Sequence, residues 1–187
     1  MDPQQSYVAL VHHPVYDKHR RVVSTALTNL DLHDIARSVR SYGLRGYFVV
    51  HPVAAQRELA ERVLGHWRDE GAEKNDFRRD ALERVRVVAT FDDAISAITE
   101  EIGSSPQLVA TAARSSPSAI GYDALAASGA LLLVFGTGHG LADELMARCS
   151  TRLAPIQASS DYNHLSVRSA VAIVLDRLFG DRQNMPL

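Results

Sequence analysis

The chain has 187 residues, of which 46% are hydrophobic and 22% charged, with one cysteine and a formal net charge of −2. Length and balance suit a single α/β domain over residues 1–187. One cysteine excludes a disulfide framework or a cysteine-built zinc site within the chain, and the charge is not the basic excess of a dedicated nucleic-acid binder.

The opening "MDPQQSYVALVHHP" has neither a basic leader nor a long apolar core, so a cytoplasmic protein is expected. Residues 6–12, "SYVALVH", form a β-rich run, and "HPVYDKHRRVVSTALTN" adds a polar turn and a second β-rich piece. "LDLHDIARSVRSYG" reads as a helix with Leu32, Ile35 and Val39 as its stripe, Asn29 or Asp31 as its cap and Gly43 as its stop. "GYFVVHP" is a buried strand ended by Pro52, and residues 54–70 carry Leu59, Val63, Leu64 and Trp67 at helical spacing. "VRVVATF" is the next strand, and Thr90 with Asp93 makes a capping box for the helix "DDAISAITEEIG". Strand "QLVATAA", short helix "YDALAAS", strand "ALLLVFG", short helix "LADELMA" and extended piece "TRLAPI" follow, before a closing helix in "NHLSVRSAVAIVLDRLFG". No apolar run is long enough to span a bilayer, so no membrane partner is expected. Strands that are continuous apolar runs and alternate with helices predict an α/β fold, a mostly parallel sheet covered on both faces.

Ligands of such sheets bind beyond the carboxyl ends of the strands. Three ends carry small or polar residues: "VATAARSS", "VFGTGHGL" and "RLAPIQASSDYNHLS". The spacing Gly136-x-Gly138-x-Gly140, with no strand after it to supply a ribose-binding carboxylate, fails the dinucleotide fingerprint, and no Gly-Lys-Ser/Thr follows to make a phosphate loop. The glycines could simply form a tight turn. The long polar stretch that accompanies them favours a ligand site, because such loops in compact domains are more often functional than idle. The eight histidines bring no partner set that implies a metal, and His12 and His13, before Pro14, read as turn residues.

"VFGTGHGL", "LAPI" and "DYNHLSVRSAVAIVLDRL" resemble the second and third motifs of the SPOUT superfamily of S-adenosylmethionine-dependent RNA methyltransferases, and "LVHHPVYDKHRRVVSTALTNLDLHDIARSVRSYGLRGYFVVHP" resembles its small predicted RNA methyltransferase family. The resemblance implies a C-terminal deep trefoil knot whose loops hold S-adenosyl-L-methionine largely by peptide groups. By position, Thr111, Ala112, Ala113 and Arg114 would form one wall. Phe135, Gly136, Thr137, Gly138 and Gly140 would form a second. Leu153, Pro155 and Ile156 with Asn163, His164, Leu165 and Ser166 would form a third. On this reading the glycines are bare to admit the adenosyl group.

In the SpoU-type branch an Asn precedes an Arg by six positions. Here Arg37 matches the Arg, while Asp31 stands at the Asn and His33 at a Gly, so the role of Arg37 in deprotonating a ribose hydroxyl carries over in part. For a base nitrogen, Asp31 or Asp34 would be the better base. Asn29, Asp31 and Arg37 are the catalytic candidates; caps and a solvated helix face are the plain alternatives.

The last helix is apolar over most of its circumference, through Leu165, Val167, Ala170, Val171, Ile173, Val174, Leu175 and Leu178, and is expected to be buried on more than one side. That predicts a homodimer through this helix, as in SPOUT proteins. Arginines group at 20–21, at 37, 40 and 45, and at 78, 79, 84 and 86; acids interleaved in "RRDALERVR" make the last group a salt-bridged helix face. The expected function is S-adenosylmethionine-dependent methylation of RNA, tRNA or rRNA, at a ribose 2′-hydroxyl or a base nitrogen. The alternative is a non-catalytic nucleotide-binding or regulatory α/β protein.

Overall fold

The computed structural model describes residues 1–69, 76–160 and 162–181. Among these residues nine strands and six α-helices follow in the order β1 Ser6–Val11, β2 Val15–Tyr16, β3 Val22–Val23, α1 Asn29–Ser41, β4 Gly46–Val50, α2 Ala54–Asp69, α3 Asp76–Leu82, β5 Val85–Val88, α4 Phe91–Ile102, β6 Gln107–Ala110, β7 Ala119–Ile120, β8 Leu131–Gly136, α5 Asp143–Arg148, β9 Thr151–Leu153 and α6 Val167–Phe179. Residue 70, the end of the helix expected over 54–70, lies outside the described residues.

Seven strands form one sheet in the order β5-β4-β1-β8-β6-β9-β7, and every pair in it is parallel. β1 and β8 lie at its centre, which is why "YVALV" and "LLLVF" are apolar at every position rather than at alternate ones. Alternate side chains still go to opposite faces. Val8 and Leu10 meet Ile35, Val39, Leu64, Val171 and Leu175 on the side of α1, α2 and α6. Tyr7, Ala9 and Val11 meet Phe91, Ala94, Ile98 and Leu145 on the side of α4 and α5.

The capping box of α4 forms as expected, Thr90 accepting from the Asp93 amide and Asp93 from the Thr90 amide, and Gly103 ends the helix with φ +83. The cap of α1 is Thr28, not Asn29 or Asp31. Asp31 instead sits in the first turn, where its carboxylate accepts from the Thr28 hydroxyl at 2.6 Å. "YDALAAS" is not an α-helix; it forms a single 3-10 turn, Tyr122–Ala124, just after β7. α6 starts at Val167, capped by Ser166, so Asn163, His164 and Leu165 belong to the preceding loop.

Between β1 and α1, β2 and β3 pair into a small antiparallel hairpin. It folds across the chain that follows β8. The amide of Tyr16 donates to Gly140 O (2.9 Å), that of His139 to Tyr16 O (2.8 Å) and that of Ala142 to Pro14 O (3.1 Å).

Candidate functional site

The chain order turns back across the centre of the sheet, and the carboxyl ends of β8, β6 and β9 lie side by side. A cavity of about 750 Å³ opens there. Three chain segments supply much of its wall. From the end of β6 come Thr111, Ala112, Ala113 and Arg114; from the end of β8 come Phe135, Gly136, Gly138 and Gly140; after β9 come Leu153 and Ile156, with Asn163, His164 and Leu165 from the approach to α6. The segments are tied together, Asn163 Nδ2 donating to Ala113 O at 2.9 Å.

Three residues expected in these walls do not themselves line the cavity. Thr137 turns into the protein: its hydroxyl donates to Val11 O at 3.1 Å and bonds the Thr25 hydroxyl. Ser166 caps α6. Pro155 is outside the cavity lining. Several residues that sequence reasoning did not select do line it. Tyr16 and Arg20 arrive from the hairpin, Tyr122 from the 3-10 turn, Asp143 and Met146 from α5, and Val167, Ala170 and Val174 from α6. Arg20 lies 4.4 Å over the Tyr16 ring and pairs with Asp143 at 3.2 Å. The arginine pair 20–21 was the one available signal; no periodicity announces that a hairpin will reach across to another strand's loop.

The glycines divide by cause. A Cβ on Gly136 would sit 2.8 Å from the Leu141 amide and side chain. A Cβ on Gly138, where φ is +58, would sit 2.7 Å from the Tyr16 carbonyl oxygen. These two are bare because the protein's own backbone passes close by, which corrects the expectation that a ligand alone requires it. Gly140, at φ +104, differs: a Cβ there meets nothing within 4 Å. The amides of Thr137, His139 and Gly140 already donate to Val11, Tyr16 and Thr137 carbonyls, so they are part of the loop's scaffold.

Below the hairpin, two histidines stack at the ends of β1 and β4, with ring centroids 5.1 Å apart. His12 Nδ1 is 3.0 Å from the Thr25 hydroxyl, and His51 Nε2 is 2.9 Å from Thr25 O. Burial lowers the His12 pKa to about 4, and the neighbouring His51 adds to the shift. The two rings thus hold the Thr25 segment against the ends of β1 and β4, while His13 Nδ1 is 3.3 Å from Val23 O of the hairpin.

The three catalytic candidates are not brought together in the cavity. Asp31 is buried, pairs with Arg168 at 3.4 Å and thereby joins the first turn of α1 to the first turn of α6. Arg168 also reaches Asp34 at 3.4 Å. Asn29 and Arg37 line a different cavity, of about 690 Å³, between α1, α2 and α3. The arginines at 78–86 form a salt-bridged helix face only in part: Arg79 pairs with Glu83 at 3.2 Å, whereas Arg78 lies over Trp67, Arg84 donates to Leu44 O at 3.3 Å, and Arg86, on β5, pairs with Glu101 at 2.6 Å. No group of three or more metal-ligating side chains occurs among the described residues.

Residues 5–180 match a family model described as SAM-dependent RNA methyltransferase. A tRNA (guanine-N(1)-)-methyltransferase of Oleidesulfovibrio alaskensis is 43% identical over 179 residues, which is 94% of this chain and 42% of that protein. An uncharacterised protein of Aquifex aeolicus is 42% identical, over 92% of this chain and 87% of its own. The chain thus spans less than half of the first relative and most of the second. Among solved structures, the TrmH/SpoU tRNA modifying enzyme of A. aeolicus superposes with a TM-score of 0.58 at 13% identity, over 94% of this chain and 74% of that one, which shows a shared fold.

Proposed function

The chain belongs to the SAM-dependent RNA methyltransferase family, and from that premise we propose that it transfers a methyl group from S-adenosyl-L-methionine to a cytoplasmic tRNA or rRNA, with the donor held in the cavity at the ends of β6, β8 and β9. The observation that carries this reading is the cavity itself, lined by residues of the family motifs after β8 and β9 and by the segment after β6 that the resemblance assigns by position. Its surfaces suit the donor. Gly140 presents open space where a side chain would stand, the small Ala112 and Ala113 face it, and Leu153, Ile156, Leu165 and Val174 offer an apolar slot of the kind a purine ring fills. The sulfonium supplies an already activated methyl group, so the protein's task is to align the acceptor and take up a proton.

Arg37, Asp31 and Asn29 are the proposed acid–base set, for a ribose 2′-hydroxyl or a base nitrogen as acceptor. Asn29 and Arg37 share no cavity with the glycine loop within one chain, so we take them to act on the site of a second copy. α6 supports that assembly: it buries Val171, Val174 and Leu175, while Ile173 remains half-buried and belongs to neither core cluster. A trefoil-knotted threading of β8, β9 and α6 goes with the reading, supported by the way β9 lies beyond β6 rather than beside β8.

The experiment is transfer of labelled methyl from S-adenosyl-L-methionine to total tRNA and rRNA, with calorimetry of donor binding alongside. Saturable donor binding and labelled RNA are expected. Donor binding with no labelled RNA from any source would favour a non-catalytic regulator, and no donor binding would refute the site.

A further inference from the structure

The second cavity shares no lining residue with the glycine cavity. It is lined by Trp67, the only tryptophan of the chain. The Arg78 guanidinium lies 4.5 Å over the indole, and His33 and His66 meet the ring edge-on, each at 5.6 Å. A guanidinium on an aromatic face is a flat cationic layer, the surface on which nucleobases stack. Arg37 and Arg62 open on the same cavity, and no salt bridge engages either among the described residues. Among the described residues that line it the one carboxylate is Asp34, which also meets Arg168 at 3.4 Å. His33 Nδ1 is buried without a hydrogen-bond partner. On the neighbouring position of α3, Phe77 is 88% exposed.

Arg37 and Arg62 without an ion pair among the described residues, an aromatic layer, an unused polar atom and a volume of about 690 Å³ describe a nucleotide site better than a protein-docking surface. We propose that the cavity between α1, α2 and α3 receives an unpaired nucleotide of the RNA substrate, its base against the Trp67–Arg78 layer and its phosphate on Arg62. This rests on the reading of RNA as substrate. A free mononucleotide offers the same chemistry; the open cavity with arginines on more than one helix fits a strand carrying several phosphates.

Trp67 reports on the site directly. The full chain is titrated with tRNA at low salt while tryptophan emission, filter-retained RNA and calorimetric S-adenosyl-L-methionine affinity are followed. Saturable quenching that tracks RNA retention is expected. Arg62→Ala, an exposed position, should lower RNA affinity about fivefold and reduce the salt slope by about one, with donor affinity unchanged. Trp67→Leu should lose about tenfold in RNA affinity, and Trp67→Phe, which keeps a ring, should lose little. Adenosine monophosphate should quench only at concentrations at least a hundredfold higher; tighter binding of the mononucleotide than of tRNA would overturn the assignment to RNA. Retained RNA with unaltered emission, together with undiminished affinity in Arg62→Ala, would overturn the site and leave the substrate reading intact. Donor binding with no RNA retained would overturn both.

Discussion

Replacing Gly138 by alanine tests whether the glycine loop is shaped by the protein or by its ligand. The backbone there is left-handed, φ +58, which costs an L-residue about 1–2 kcal/mol. The new Cβ would stand 2.7 Å from the Tyr16 carbonyl oxygen, so that carbonyl must move. It is also the acceptor of the His139 amide at 2.8 Å, a bond worth about 1 kcal/mol. The sum, about 2–3 kcal/mol, corresponds to a fall in Tm of about 5–10 °C for a chain of this size. The loss should appear in the ligand-free protein, measured by thermal unfolding, before any weakening of S-adenosyl-L-methionine binding is considered. A variant that unfolds at the wild-type temperature yet binds the donor poorly would refute the reasoning, since Gly138 would then be bare for the ligand.

Other substitutions and conditions test the remaining contacts. Arg168→Ala should cost about 1–3 kcal/mol in denaturant unfolding, because it strips an ion partner from the buried Asp31 carboxylate; unchanged stability would show that the Thr28 hydroxyl alone suffices. Stability should fall by about 3 kcal/mol as pH drops from about 6.5 to about 4, since the unfolded chain takes up a proton on His12 that the folded chain, with its pKa held at about 4, refuses. His12→Gln should flatten that slope, and a slope that persists would place the titration elsewhere. Burial raises the Cys149 thiol pKa to about 11, so the native protein should resist iodoacetamide at pH 8 and react once denatured; alkylation of the folded chain would contradict its packing.

The parallel sheet was legible because β1, β4 and β8 are buried on both faces and therefore apolar throughout. The Thr90–Asp93 box was legible because a cap is a local matter, settled within four residues. Most of the cavity wall followed the family motifs. What could not be read was long-range. Gly138 looks like a residue waiting for a ligand until Tyr16, far back in the chain, is seen against it. Arg37 carries a familiar spacing, but α2 and α3 decide which cavity it faces. Thr137 sits in the motif yet points inward, because Thr25 and Val11 offer it better partners than solvent does.

The hairpin between β1 and α1 makes the amino-terminal third of the protein a co-owner of the cavity proposed to hold the methyl donor. A fragment cut out from β6 onward would carry every recognisable loop motif and still present a collapsed pocket, for it would lack Pro14 and Tyr16 to brace Gly140 and Ala142. Insertions or deletions in the short stretch around Asp17–Arg21 should therefore trouble methylation as much as changes in the glycines themselves, although nothing in that stretch advertises a catalytic purpose.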